Sequence, residues 1–161
     1  MASPKANLAA PLGDTDIRYL GTHVRGLDHG RIIVPPEWRL EGWPKDLMVI
    51  EWPVMAPECL LVLSPALWQA YLDNVGALAV TADMAGEIER RIGERTYPRA
   101  VDSYGRLPLP ENAARNLGIQ SEATLVGRVK KFEIWSPERY QASQARADMA
   151  RMAAALNSVK V

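Results

Sequence analysis

A chain of 161 residues with 48% apolar side chains can bury one compact core, or a core shared by two half-domains. Its 19 basic and 19 acidic side chains cancel, which excludes a strongly basic nucleic-acid sponge without excluding a local basic patch. The one cysteine rules out an internal disulfide framework, and Cys59 stands in an apolar run beside Leu60 and reads as a core residue.

Residues 1–16 contain Ala, Pro and Gly with little periodicity and are expected to form a flexible tail. They carry no apolar stretch of signal-peptide type. The most apolar runs further on are strand-length and broken by Pro, Glu or Trp, so a soluble, cytoplasmic protein is expected. A first half follows over 17–80. Ile17, Tyr19 and Val24 read as a strand over 17–25 that enters the turn Leu27-Asp28-His29-Gly30-Arg31, and Ile32-Ile33-Val34 returns from it. A short helix over 36–40 starts at Pro36, in the first turn where no N–H is missed. Two strands over 47–52 and 59–63 form an antiparallel pair. A helix over 65–72 has Ser64 as its N-cap, and a connector over 74–79 contains Gly76.

The stretch 81–96 is a linking helix. Met84, Ile88 and Ile92 share one face, and Glu87 and Arg91 have the favourable i, i+4 order. The second half, 97–142, opens with a strand leading into Asp102-Ser103-Tyr104-Gly105-Arg106. A helix over 110–117 stops at Gly118, and strands over 123–129 and 131–135 follow. An Ala-rich helix runs from Pro137 to about Asn157, so that 143–161 extends the second half. Met149, Met152 and Leu156 give it a modest apolar stripe that suits packing against this chain or a neighbour.

The two halves repeat one another. Each has an acidic residue, a tight turn with Gly, an Arg, a short apolar strand and a Pro that opens a helix. Arg31 and Arg106 are 75 residues apart, and the strand-to-helix serines, Ser64 and Ser136, are 72 apart. Ser64-Pro65 through Gln69-Ala70 matches Ser136-Pro137 through Gln141-Ala142. The unit is turn–strand–helix–strands–helix, twice, and two copies point to a closed pseudo-dimer rather than an open solenoid.

Leu27-Asp28-His29-Gly30-Arg31 with Pro35, then Asp102-Ser103-Tyr104-Gly105-Arg106, and above all Leu125-Val126-Gly127-Arg128-Val129-Lys130-Lys131-Phe132-Glu133-Ile134-Trp135 resemble the MraZ family, bacterial regulators built from two AbrB-like halves. The resemblance runs from about Tyr19 to Tyr140. It implies an α+β fold: a pseudo-two-fold, swapped-hairpin β-barrel made by two βαββα-like AbrB-type repeats. It also implies assembly into a ring-shaped homo-oligomer, and binding to repeated promoter elements upstream of the division and cell-wall gene cluster. The family's signature is an Asp, three residues, then an Arg. Asp102 and Arg106 keep it. Asp28 and Arg31 are one residue closer, and His29 stands where the family often has a base.

A binding chemistry follows from the turns themselves. Asp28 and Asp102 can accept hydrogen bonds from turn N–H groups, or hold the Arg guanidinium outward. Arg31 and Arg106 then offer planar donor forks for phosphate or for the acceptor edge of guanine, and a two-stranded ribbon fits the major groove. Arg18, Arg25 and Arg99 would flank them on phosphates, with His29 alongside. Taken alone, either turn could simply be an Asp/Arg-stapled hairpin. The reading is a sequence-specific DNA-binding transcriptional regulator that represses its own gene cluster, associated with the nucleoid, with double-stranded DNA and its own copies as partners and no membrane. The alternative is an oligomeric structural or protein-interaction ring with weakened or no DNA binding, motivated by the short first turn and the zero net charge. An enzyme is not expected, because no Gly-rich phosphate loop, Gly-x-Ser-x-Gly or His-x-x-x-His spacing occurs. No cofactor or metal is expected either.

Overall fold

The computed structural model describes residues 18–160. The expected tail over 1–16, and Ile17 of the first expected strand, lie outside them. Eight strands form one sheet: β1 Thr22–Asp28, β2 Arg31–Ile33, β3 Asp46–Trp52, β4 Cys59–Leu63, β5 Thr96–Ala100, β6 Arg106–Pro108, β7 Glu122–Gly127 and β8 Phe132–Trp135. Five α-helices accompany them among the described residues: α1 Pro65–Gly76, α2 Ala82–Glu94, α3 Glu111–Asn116, α4 Pro137–Arg146 and α5 Met149–Leu156.

The strand order is β5-β3-β4-β8-β7-β1-β2-β6, and every pairing is antiparallel. The two end strands are joined by the Asp102–Arg106 turn, where the Asp102 N–H donates to the Arg106 carbonyl at 3.1 Å. The sheet therefore comes round on itself as a nearly closed barrel, which leaves little free edge.

The duplication is written into the hydrogen-bond register. β1 does not pair with its own half's β3; it pairs with β7, and β5 pairs with β3. Thr22, His23, Val24, Arg25 and Gly26 oppose Val126, Leu125, Thr124, Ala123 and Glu122, in the same alignment in which Thr96, Tyr97, Pro98, Arg99 and Ala100 oppose Ile50, Val49, Met48, Leu47 and Asp46. Two of the remaining ladders, β2–β6 and β4–β8, are self-symmetric. Ile32 faces Leu107, and Leu61 faces Glu133, so the pseudo-dyad passes through those two pairs. This is the swapped-hairpin α+β barrel that the MraZ resemblance implies.

Alternation of side chains explains which residues fill it. Ile32, Leu107, Leu47, Val49, Leu60, Val62, Leu125, Phe132 and Ile134 point inward and are buried. Each contributes about 1.5–3 kcal/mol by burial. Trp38 closes the barrel with Tyr19 and Phe132, and its indole N–H donates to the Leu20 carbonyl at 2.8 Å. A second cluster lies outside the barrel, where Ile50, Leu61 and Leu63 meet Leu67, Trp68 and Tyr71 of α1 and Ile88 and Ile92 of α2. Cys59-Leu60-Leu61-Val62-Leu63 is thus apolar at every position because β4 is covered on both faces.

Several boundaries differ from those expected. The first strand begins at Thr22, with only Tyr19 in an isolated bridge to Val129. The helix over 36–40 is one 3-10 turn, Pro36–Trp38. Helix α1 runs through the expected connector to Gly76, because Leu72 and Val75 pack on the outer cluster. The long C-terminal helix is two helices: Ala147 turns extended, and the Asp148 side chain caps α5 by accepting from the Arg151 N–H at 2.9 Å. Met149, Met152 and Leu156 remain exposed, so their stripe does not pack on this chain. Ser64 and Ser136 cap α1 and α4, accepting from the N–H groups of Leu67 and Arg139 at 3.2 Å each.

Candidate nucleic-acid interface

The two Asp/Arg turns are joined by the short β2–β6 ladder and flank it from opposite ends, Gly30 beside Leu109 and Gly105 beside Val34. The first is a two-residue hairpin loop. Asp28 and Arg31 oppose each other, with His29 at φ 52° and Gly30 at φ 73° between them. Two successive left-handed residues make this a type I′ turn, which matches the twist of the strands it joins. His29 is an unusual occupant of such a position. The second loop has one residue more. The Gly105 N–H donates to the Asp102 carbonyl at 3.0 Å, and Gly105 itself is at φ 81°. That is a turn followed by a left-handed glycine, the usual three-residue alternative. The missing residue between Asp28 and Arg31 therefore changes the turn type, not the hairpin.

The two aspartates do different amounts of work. Asp102 accepts from the N–H groups of Tyr104 and Arg106, both at 2.9 Å, and from Arg106 Nε at 2.6 Å. The Arg106 N–H bond holds its carboxyl below the usual carboxylate range against the opposing effect of desolvation, with help from the side-chain bond to Arg106 and the Tyr104 N–H bond. The Arg106 guanidinium lies over the Tyr104 ring, 5.0 Å from its centre. Asp28 holds Arg31 more loosely: the guanidinium Nη2 is 3.6 Å from the carboxylate, and Nε reaches the Asp28 carbonyl at 3.4 Å. Asp28 spends its other oxygen on His29 Nδ1, 2.6 Å away, in a side chain that is 84% exposed.

Arg31 opposes Pro108 and Arg106 opposes Ile33 across the ladder, while Ile32 and Leu107 between them are fully buried. Alternation puts both arginines on the outward face, at diagonal positions within reach of long side chains. Their side chains are 31% and 26% exposed.

The flanking cations are arranged otherwise. Arg25 lies between His23, which stacks edge-on against Trp38, and Leu27, which packs on the core; Arg99 lies between Tyr97 and the buried Val101. Both therefore sit on the opposite face of their strands from Asp28 and Asp102. Each is half-buried and turned back on its own chain, Arg25 to the Val24 carbonyl at 3.0 Å and Arg99 to the Pro98 carbonyl at 2.8 Å. Arg18 is a correction. Expected as a phosphate partner, it is 5% exposed and sits where its backbone N–H meets the Val129 carbonyl, so its guanidinium is not on the surface.

One positioning residue has no counterpart in the repeat. Arg39 is anchored by Nε to the Val34 carbonyl at 2.8 Å, and its guanidinium lies against Gly105 where a Cβ would collide with it. Nothing comparable backs Gly30, around which there is open space. Arg39 corresponds to Ala114 in the other half, so the repeat gave no signal for it.

A family model described as "MraZ protein, putative antitoxin-like" matches residues 94–160. The chain is 29% identical to a protein of Lachnoclostridium phytofermentans named Transcriptional regulator MraZ, over 78% of this chain and 86% of that protein. Proteins of the same name from Saccharopolyspora erythraea and Roseiflexus castenholzii are 28% and 23% identical over 76% of this chain and 84% of each. The family model spans the Asp102–Arg106 turn and the strands and helices after it, the named relatives are matched over about three quarters of the chain, and over that extent the chain is similar to the MraZ family.

Proposed function

We propose that the chain is a sequence-specific, DNA-binding transcriptional regulator, with the β2–β6 face as its reading surface. The observation that carries this is the projection of Arg31 and Arg106 from one outward face, each beside an aspartate and on either side of the pseudo-dyad. A guanidinium in such a setting offers paired donors to phosphate or to guanine, and a two-stranded ribbon has the width of the major groove. The names of the relatives support regulation of transcription.

Zero net charge limits one chain to a few phosphate contacts, and those are sensitive to salt. A ring of copies on regularly spaced promoter repeats gains avidity of about 10²–10⁴ without any new contact. Assembly and binding are therefore coupled in this reading, and the target is the gene's own upstream region, where binding represses. Fluorescence anisotropy on that DNA at two salt concentrations, with the intact chain and with an obligate monomer, tests it. Tight, salt-sensitive binding by the assembly and weak binding by the monomer are expected. No binding by either leaves an assembly without a DNA partner.

A further inference from the structure

Helix α1 leaves a crevice of about 330 Å³ against the outer face of β3 and β4. Trp52, Trp68 and Tyr71 form aromatic walls, with the Trp52 and Tyr71 rings 5.6 Å apart at 72°. Trp68 buries its indole N–H with no acceptor, at odds with the general pairing of buried donors. Arg128 and Lys131 also line the crevice, and they come from the β7–β8 turn of the other half. Arg128 is paired with Glu133 at 3.2 Å, but among the described residues Lys131 has no ion pair. Burial first, and then the neighbouring charges of Arg128 and Lys130, hold Lys131 below the ordinary lysine range, and these three cations outnumber the one carboxylate beside them, Glu133. Val129, between these cations, is a β-branched residue at φ 70°, an arrangement that persists only where surroundings enforce it.

The duplication provides an internal comparison. The corresponding crevice, between α4 and β8, holds about 110 Å³. At the same alignment that relates Ser64 to Ser136, Leu67 becomes Arg139, Ala70 stays Ala142 and Asn74 becomes Arg146. Arg146 crosses that crevice to Glu58 of the opposite half at 2.7 Å. One copy is filled by an ion pair. The other is open, aromatic and lined by an unneutralised lysine, at the end of the β1–β7 ladder away from the Asp28–Arg31 turn.

We propose that the open crevice binds a small amphipathic anion: a flat apolar body against Trp52, Trp68 and Tyr71, with one carboxylate directed to Lys131. Its size is that of a small-molecule site, and its chemistry is the usual mixture of apolar wall and few polar groups.

Naphthalene-2-carboxylate titrated into the full chain, followed by tryptophan fluorescence and calorimetry, is the test. One saturable site per chain is expected. Lys131→Gln weakens it about tenfold, the worth of one charge-assisted contact, and naphthalen-2-ylmethylamine, which reverses the charge, does not bind. Ala70→Trp fills the crevice from an exposed helix position and abolishes binding while the melting temperature holds. Equal binding of the amine, or of both variants, overturns the proposal. So does a fall in assembly mass on light scattering with Ala70→Trp, which assigns the crevice to a contact between copies. None of these readouts requires DNA.

Discussion

Arg31 and Arg106 stand diagonally across the β2–β6 ladder, one opposite Pro108 and the other opposite Ile33, on either side of the buried Ile32–Leu107 pair. A pseudo-dyad thus relates two arginines that are not equally held. Arg106 is fixed by a 2.6 Å bond to Asp102 and by the Tyr104 ring, whereas Arg31 is 3.6 Å from Asp28. Pre-organisation lowers the entropy lost on binding. Arg106→Ala should therefore weaken binding to the upstream DNA by about 1–3 kcal/mol and reduce the salt slope by about one unit. Arg31→Ala should do the same more weakly. Anisotropy at four salt concentrations measures both, and an unchanged slope and affinity for Arg106→Ala removes it from the interface.

The two turn glycines should respond differently to a methyl group. Both sit at positive φ, which costs a non-glycine residue about 1–2 kcal/mol. Gly30→Ala adds its methyl to open space, but Gly105→Ala adds it where Arg39 lies. Gly105→Ala should be the more destabilising in urea melts. Removing the obstacle in the double variant Gly105→Ala/Arg39→Ala should recover part of the loss. Strict additivity would show that Arg39 does not press on the turn.

Much of this was legible in the sequence, for physical reasons that differ by element. Turn glycines, capping serines and alternating apolar residues are local, so both hairpins, both capped helices and the duplication could be read directly. The partner of β1 could not. His23-Val24-Arg25 suits either β3 or β7 as a neighbour, and the swap entered only through the family resemblance. Arg18 and Arg39 escaped because burial and bracing depend on which distant backbone passes by. The break at Ala147 was invisible to helix propensity, since Ala favours continuation. Its signal was Asp148, an N-cap residue three positions before Arg151. The one-residue difference between the turns was visible, but its meaning needed φ at His29.

Acid should release the second turn later than an ordinary carboxylate would predict. The folded-state pKa of Asp102 is depressed, chiefly by the Arg106 N–H. Its contribution is therefore complete above the usual carboxylate range and is lost only as pH falls through the lower, folded value. Following the Asp102 carboxyl carbon and the Arg106 Nε–H by NMR should show both moving together, below the range of exposed aspartates. Asp102→Asn should abolish that transition and lower DNA affinity, because an amide cannot hold the guanidinium as a carboxylate does. Asp28→Asn should have the smaller effect. A normal titration of Asp102 would mean that its bonds to the turn are not kept in solution.

At the end of the β1–β7 ladder away from the Asp28–Arg31 turn, Gly127 carries a stricter requirement than either turn glycine. A Cβ there would meet the backbone of Tyr19 and Leu20, and backbone cannot rotate aside as Arg39 can. The Gly127 N–H donates to the Gly21 carbonyl at 2.8 Å, and the Val129 N–H donates to the Tyr19 carbonyl at 2.9 Å. These bonds seat Tyr19, which packs against Trp38 and Phe132 at the centre of the core. Gly127→Ala should therefore lift the 19–21 segment from β7, and cost more stability than Gly105→Ala. Val129→Gly should act in the opposite direction, since it relieves φ 70° at a half-exposed valine and leaves both backbone bonds in place. Thermal melts rank the three, and hydrogen exchange at the Gly127 and Val129 amides locates the change. If Gly127→Ala exchanges there as slowly as the parent chain, the close approach of these two backbones is not what fixes Tyr19.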